Sequence, residues 1–462
     1  TSAVNTSGTV QIPGIGFSRS YSVTAGVATV IALPATVELS DSDVIVDRGI
    51  LVTALDEVAA YGLDQLQVLT EGFTALPTDA TGQDYYVLGY SNTITYVIGG
   101  GTNLTIVGTN DATQVTITPA VAVGSHAAGV PFSMTLDRGQ AYTLHTSIPS
   151  LADLSGTRVT ATERISLFGG NTAARVPQDV VAANHLIEQL PPLTAWGRRF
   201  VTLPLATRSG GDTFRIMAQA DNTEVRIDGV LVRTLGAGQF DERILPAAST
   251  IEGSRPLLVA QYSNSSGFDN STGDPFMMLV PPLEQYISDY TLSTPSIAFD
   301  LNYANLVLPT DAIASVTRDG IAVPATAFSS IGTSGYSGAQ IPISVGSHRF
   351  RANAPFGVSI YGYAPFDAYG YFGGMSAGRI ADVSTLRLSP ASATLPLGTL
   401  HNVIASVSDR QGEPIAGVRV DFVISRAGAD RARAHHDVGA AVGLAGDDGQ
   451  LRHGRLGERV EQ

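Results

Sequence analysis

An all-β fold built from tandem sandwich-like modules is what this sequence predicts, and three observations carry the prediction. The 49 glycines and 24 prolines stand beside abundant Thr, Ser and Val, while charged residues make up only 15%. That composition suits short strands joined by tight turns. Apolar residues alternate at period two through most of the chain, which places them on one face of a pleated strand. The same order of elements also recurs along the chain, and 462 residues leave room for more than one core.

Residues 1–66 read as strand, turn, strand: YSVTAGVATVIALP, then DSDVIVDRGILVTALDEVAAYGL, with Val44, Ile45 and Val46 followed by Ile50, Leu51 and Val52. They are expected to be an N-terminal half copy of a larger unit, because Gly26 falls at the turn that Gly139, Gly238 and Gly346 mark in later copies. Full modules are expected at 67–172, 173–270 and 271–380. Each opens on a proline with an aromatic eight positions later: Pro77 and Tyr85, Pro192 and Phe200, Pro282 and Tyr290. Leu104, Ile106, Asp111, Thr113, Val115 and Ile117 fall without a gap opposite Phe214, Ile216, Asp221, Thr223, Val225 and Ile227. A repeat of roughly 85 to 100 residues is the main architectural expectation. A unit of that length buries a core of its own, and the three and a half copies are either beads on a string or blades that close on one another.

In the second module Phe214, Ile216, Val225 and Ile227 form the apolar phase, which leaves Arg215, Glu224 and Arg226 for water. The QADNT segment between the two runs reads as a hairpin turn, since Asp and Asn tolerate the left-handed conformation. Within 173–190, Val180, Ala183, Ile187 and Leu190 have helical spacing and predict a short helix between copies. After a linker beyond Gly374, residues 385–425 alternate again around a GEP turn, with Val418, Val420 and Phe422 in phase. Residues 426–462 show little alternation and are expected to be a disordered tail.

The net charge of -14, with arginine as the sole basic residue besides histidine, argues against a nucleic-acid partner, whose affinity is built on clustered cations. The absence of cysteine excludes disulfides, thiolate metal sites and a thiol nucleophile. No stretch approaches ~18 consecutive apolar residues, so no membrane insertion is expected of this segment. The start at Thr1, with no leader pattern, reads as a mature product or a fragment.

No nucleophile elbow, paired-histidine helix, phosphate loop or dinucleotide fingerprint occurs. His185 with Glu188 lacks a third ligand, and His435, His436 and His453 fall in the expected tail. Asp41, Asp43 and Asp47, like Asp269, Ser271 and Asp274, depart from the EF-hand register. No catalytic residue, metal or cofactor is therefore expected. The candidate ligand-binding residues are Trp196, Arg198, Arg199 and Arg208, with the loop at 209–211. The only tryptophan beside paired arginines offers a stacking and charged platform, and the arginines lack counterparts in the other copies. Two other classes stand beside binding: a hydrolase using Asp79, Glu188 or Asp274 as acid and base, and a self-associating surface component. The carboxylates flank the repeats, whereas glycosidic chemistry needs two of them to face each other.

The stretch HLIEQLPPLTAWGRRFVTLPLATRSGGDTFRIMAQADNTEVRIDG resembles the N-terminal domain family of the IgG-Fc-binding protein. FTALPTDATGQDYYVLGYS, DLSGTRVTATERISLFGGN, GDPFMMLVPPLEQY and LNYANLVLP extend the resemblance over about residues 40–375. It implies an extracellular or cell-surface module that recognises a protein or glycoprotein, immunoglobulin Fc in the animal member. Where animal relatives carry cysteines ahead of the EQLPP motif, this chain has Ala173, Ala174, Ala182 and Ala183. The pieces SPASATLPLGT, VIASVSD and GEPIAGVRVDFVIS resemble part of a bacterial immunoglobulin-like repeat of the invasin and intimin type, which implies a spacer in a surface adhesin.

Overall fold

Strands account for the regular structure, and among the described residues the only helices are single 3-10 segments. The computed structural model describes residues 1–66, 68–92, 101–146, 151–295, 299–376, 385–390, 401–408, 419–424, 432–437 and 442–444. Thr1–Ala377 forms one compact unit and Gly378–Gln462 another.

Three modules in the first unit share one plan, and each is organised on a long strand: Arg158–Ala174, Ser249–Tyr262 and Ser347–Ala364. A register shift divides each long strand in two. The first half lies beside the opening strand of its own module: Gly82–Tyr86, Gly197–Thr202 or Ile287–Ser293. The second half pairs with the central strand: Thr102–Gly108, Asp212–Ala218 or Leu301–Pro309. The bulge bends the strand so that its two halves face each other across one core. In the second module Phe200, Phe214, Ile216, Val225, Ile251 and Val259 share that core.

The opening turns repeat in detail. Pro77, Pro192 and Pro282 precede short 3-10 segments with φ of -65°, -65° and -67°, the value the pyrrolidine ring fixes in advance. The aromatic eight positions later is buried in every module: Tyr85 at 0%, Phe200 and Tyr290 at 2% exposure. The Tyr85 hydroxyl accepts from Gly82 N at 2.7 Å and donates to Ile165 O at 2.7 Å, joining the turn to the bulge. Tyr290 repeats the arrangement with Ile287 and Phe356. Phe200 fills the same space without the hydroxyl.

Three expectations change. The QADNT segment does not close a hairpin: Asp212–Ala218 and Thr223–Ile227 do not pair with each other but both run antiparallel to Ser249–Tyr262, one after the other. The turn is a sideways step along a shared neighbour. Asn222 takes a φ of 57°, and Asp221 Oδ1 accepts from Ala237 N at 2.9 Å, which binds the step to the adjacent turn. Asp111 does the same for Arg138 N at 3.1 Å in the first module, so the recurring Asp is a turn acceptor. The helix expected within 173–190 is replaced by the strand Asn184–Leu190, which pairs with the second half of Arg158–Ala174. Its Asn184, Leu186 and Glu188 are buried in alternation, a period of two that the apolar pattern alone disguised because two of the three are polar. Arg215 is buried at 3%, because the first module covers the face that periodicity gave to water. Glu224 and Arg226 do reach the surface, where they pair at 3.0 Å.

Residues of the first segment go to three places. Thr6–Ile12, Phe17–Val23 and Leu51–Ala54 make a small sheet. Val44–Val46 extends the first module's sheet at Ala141–His145, and Ala60–Leu66 pairs with Leu69–Ala75.

The modules close on one another. Leu69–Ala75 touches Asn184–Leu190 and Asp367–Phe372, and Met277–Leu279 touches the same two strands. Asn184 Nδ2 donates to Thr70 O at 2.9 Å, and Thr70 donates through N and Oγ1 to Asp367 at 2.9 and 2.7 Å. Beads on a string are thereby excluded for this unit.

In the second unit Thr385–Ser389 pairs with His401–Ser408, Arg419–Ile424 with Ala432–Asp437, and Val442–Leu444 with His401–Ser408. The GEP turn, His453 and the remaining residues of the expected tail lie outside the described residues.

Candidate functional site

Trp196 follows the 3-10 turn that Pro192 starts. It is 1% exposed, and its indole Nε1 donates to Pro191 O at 3.1 Å. Its ring lies 6.3 Å from Tyr86 of the first module. Tyr286, at the same place in the third module, is also buried. The tryptophan thus anchors a turn and seals two modules together.

Arg198 and Arg199 sit on the strand Gly197–Thr202. Arg198 is half-buried. Arg199 has a side chain 49% exposed, and its Nε lies 3.5 Å from Glu284 Oε1 in the third module's opening turn. Arg199 therefore lies where the second and third modules meet at the surface.

Arg208 is placed elsewhere. Its side chain is 1% exposed and makes a 2.9 Å ion pair with Asp269, itself 3% exposed. It also donates to Ser265 O at 3.1 Å, and its guanidinium carbon lies 5.8 Å from the Tyr363 ring centroid. Asp269 further accepts from Ser209 N at 2.8 Å. Arg208 braces a loop whose exposed residues are Thr207, Ser209 and Gly210. Gly210 and Gly211 have φ of 81° and 97°, conformations that glycine adopts without strain. Nearby Asp212 is fully buried, and burial raises its carboxyl pKa to about 7.

The structure therefore separates the four residues by role. Arg199 belongs to the surface junction of the second and third modules, Arg198 is its half-buried neighbour on the same strand, and Trp196 and Arg208 are internal supports. The carboxylates weighed for hydrolysis are dispersed: Asp79 is exposed in the first opening turn, Glu188 is fully buried, and Asp274 at 4% exposure lies 3.5 Å from Ser266 Oγ. Burial raises Asp274 to about 6, with Asp367 adding to the effect. Among the described residues no group of three or more His, Cys, Asp or Glu is arranged to hold a metal, and no helix is long and apolar enough to cross a membrane.

Sequence reasoning missed the most heavily engaged cation, Arg215. Its guanidinium lies 2.8 Å from both Asp153 and Glu242. It donates to Gly89 O at 2.8 Å and packs 4.1 Å from the Tyr90 ring centroid. The two acids hold its pKa above the ordinary value against the cost of burial. A signal did exist: Arg215 is set between Phe214 and the apolar run Ile216, Met217 and Ala218.

Most of the three modules is covered when the chain is set against known families. The model of the family described as IgGFc binding protein matches residues 71–362, from the inner strand Leu69–Ala75 to the last long strand. The chain belongs to the IgGFc-binding family. A human relative named IgGFc-binding protein is 25% identical over 377 residues, which cover 78% of this chain and 7% of the human protein. The chain thus spans a small part of that relative's length. The stretch matched to the IgGFc-binding family takes in the opening and central strands of all three modules and stops two residues short of the end of the last long strand.

Proposed function

We propose that this chain is an extracellular or cell-surface binding protein that recognises a protein or glycoprotein by loops displayed on the closed three-module scaffold. The observation that carries the reading is the family match over residues 71–362 of the scaffold, together with a relative whose name is a binding activity. Loops held on a rigid frame bind without large ordering costs. In this chain the surface that serves is the junction of the second and third modules: Arg198, Arg199 and the neighbouring Glu284. Trp196 and Arg208 act through position, the first by fixing the turn and the second by bracing the loop with Thr207, Ser209 and Gly210. The second unit serves as a spacer in a surface adhesin.

Incubation of the full chain with an array of glycoproteins, glycans and immunoglobulin Fc fragments tests the reading. Selective retention is expected, reduced at least several-fold by Arg199→Ala with Arg198→Ala. Turnover of polymers without retained binding, or ordered self-assembly without a foreign ligand, sinks it.

A further inference from the structure

The inner strands meet around two carboxyl groups. Glu71 on Leu69–Ala75 and Glu188 on Asn184–Leu190 are both 0% exposed, and both reach the same third strand. Met277 N donates to Glu71 Oε2 at 2.8 Å, and Leu279 N, two residues on, donates to Glu188 Oε1 at 3.1 Å. N–H groups two residues apart point to the same edge of a strand. The opposite edge of Met277–Leu279 is paired with Ser249–Tyr262. The two glutamates therefore stand where a neighbouring strand would otherwise pair.

Glu71 Oε1 also accepts from Gly72 N at 2.9 Å and from Gly370 N at 3.5 Å, which brings in the fourth inner strand. Glu188 Oε2 has no partner. The ionisable groups near the carboxyls on the packed elements are acids, phenols and one histidine, while Arg158 and Arg164 on Arg158–Ala174 and Arg255 on Ser249–Tyr262 precede the second halves that pair with the inner strands. Asp367, Tyr369 and Tyr371 lie on Asp367–Phe372, Tyr61 and Asp64 on Ala60–Leu66, and Tyr262 on the long strand. Asp274 lies in the approach to Met277–Leu279, and His185 sits 3.4 Å from Asp64. No cation is among the groups acting on either carboxyl, and the two repel one another.

We propose that Glu71 and Glu188 form a proton-dependent latch: while at least one is protonated they hold Met277–Leu279 and keep the three modules closed, and loss of that proton to solvent frees the strand. The proton resides on Glu188. Glu71 is better able to carry charge, because three N–H groups point at it and only one points at Glu188. Burial raises both carboxyls well above the ordinary range. Their folded pKa values exceed the unfolded ones, so their contribution is fully present below the unfolded carboxyl range and is lost as pH rises through the folded values.

The full chain tests the latch by thermal melting and amide exchange from mildly acidic to alkaline pH, with the infrared band of a protonated carboxylic acid followed in parallel. The wild-type chain should show that band at neutral pH, and its melting temperature and the protection of the Met277 and Leu279 amides should fall together on the alkaline side. Glu188→Gln should remove the part of the band that persists above the titration of Asp212 near 7 and reduce both losses, and Glu71→Gln with Glu188→Gln should abolish them. Parallel melting profiles for the wild type and the double variant overturn the proposal. If the variants do not fold, the wild-type chain decides alone: no protonated-acid band at neutral pH, or protection of those two amides that does not change with pH beyond intrinsic exchange, overturns it.

Discussion

Among the places that bury ionisable groups between modules, two are built in opposite ways. At the junction of the first and second modules, Arg215 meets Asp153 and Glu242 at 2.8 Å each and packs on Tyr90. At the axis, the place where the four inner strands meet, the hydrogen-bond partners of Glu71 and Glu188 are main-chain N–H groups, and one carboxyl oxygen has no partner. The first place offsets desolvation with opposite charge, and the second avoids it by keeping a proton. Interruptions of an apolar strand by a charged residue thus follow one rule about burial with two solutions.

Removing the cation should have the largest effect. Arg215→Met strands two carboxylates in a partly closed junction and is expected to cost about 3–5 kcal/mol, read by chemical denaturation. A cost under about 1 kcal/mol would show that the acids relax into water. In a pH scan this variant should lower the melting curve while leaving the alkaline decline that belongs to the axis. Asp153→Asn takes away one of two charged partners and should cost about 1.5–3 kcal/mol. A value equal to that of Arg215→Met would mean that Glu242 contributes nothing.

Smaller changes lie away from both places. Asp221→Ala removes the acceptor for Ala237 N and is expected to cost about 0.5–1.5 kcal/mol. Asp111→Ala in the first module should match it if the two steps are equivalent, and unequal losses would break that equivalence. Arg199→Ala, at a half-exposed pair with Glu284, should change stability by no more than about 0.5 kcal/mol while weakening ligand retention. A large loss of stability there would move Arg199 from the binding surface to the frame.

The fold was legible where pattern and burial agree. The proline turns, the aromatic eight positions on and the apolar phase of Phe214, Ile216, Val225 and Ile227 are local or periodic features, and a neighbouring module does not alter them. What stayed hidden depended on partners distant in sequence. Arg215 reads as a water-facing residue until the first module covers it. Asn184 and Glu188 break an apolar alternation because they serve other strands, which turned a strand into an apparent helix. QADNT has ordinary turn chemistry, and only the long strand beside it turns a hairpin signal into a step. Trp196 and Arg208 were chosen for their chemistry, and burial gives them supporting places that composition does not reveal.

The strands that lead out of each module have a further consequence. Asn184–Leu190 completes the first module's sheet and runs directly into the second module, Met277–Leu279 does so one module later, and Asp367–Phe372 finishes the third. A cut ahead of Asn184 or ahead of Met277 strips the preceding module of its last strand. A fragment meant to keep the first or second module intact must therefore extend through Leu190 or Leu279.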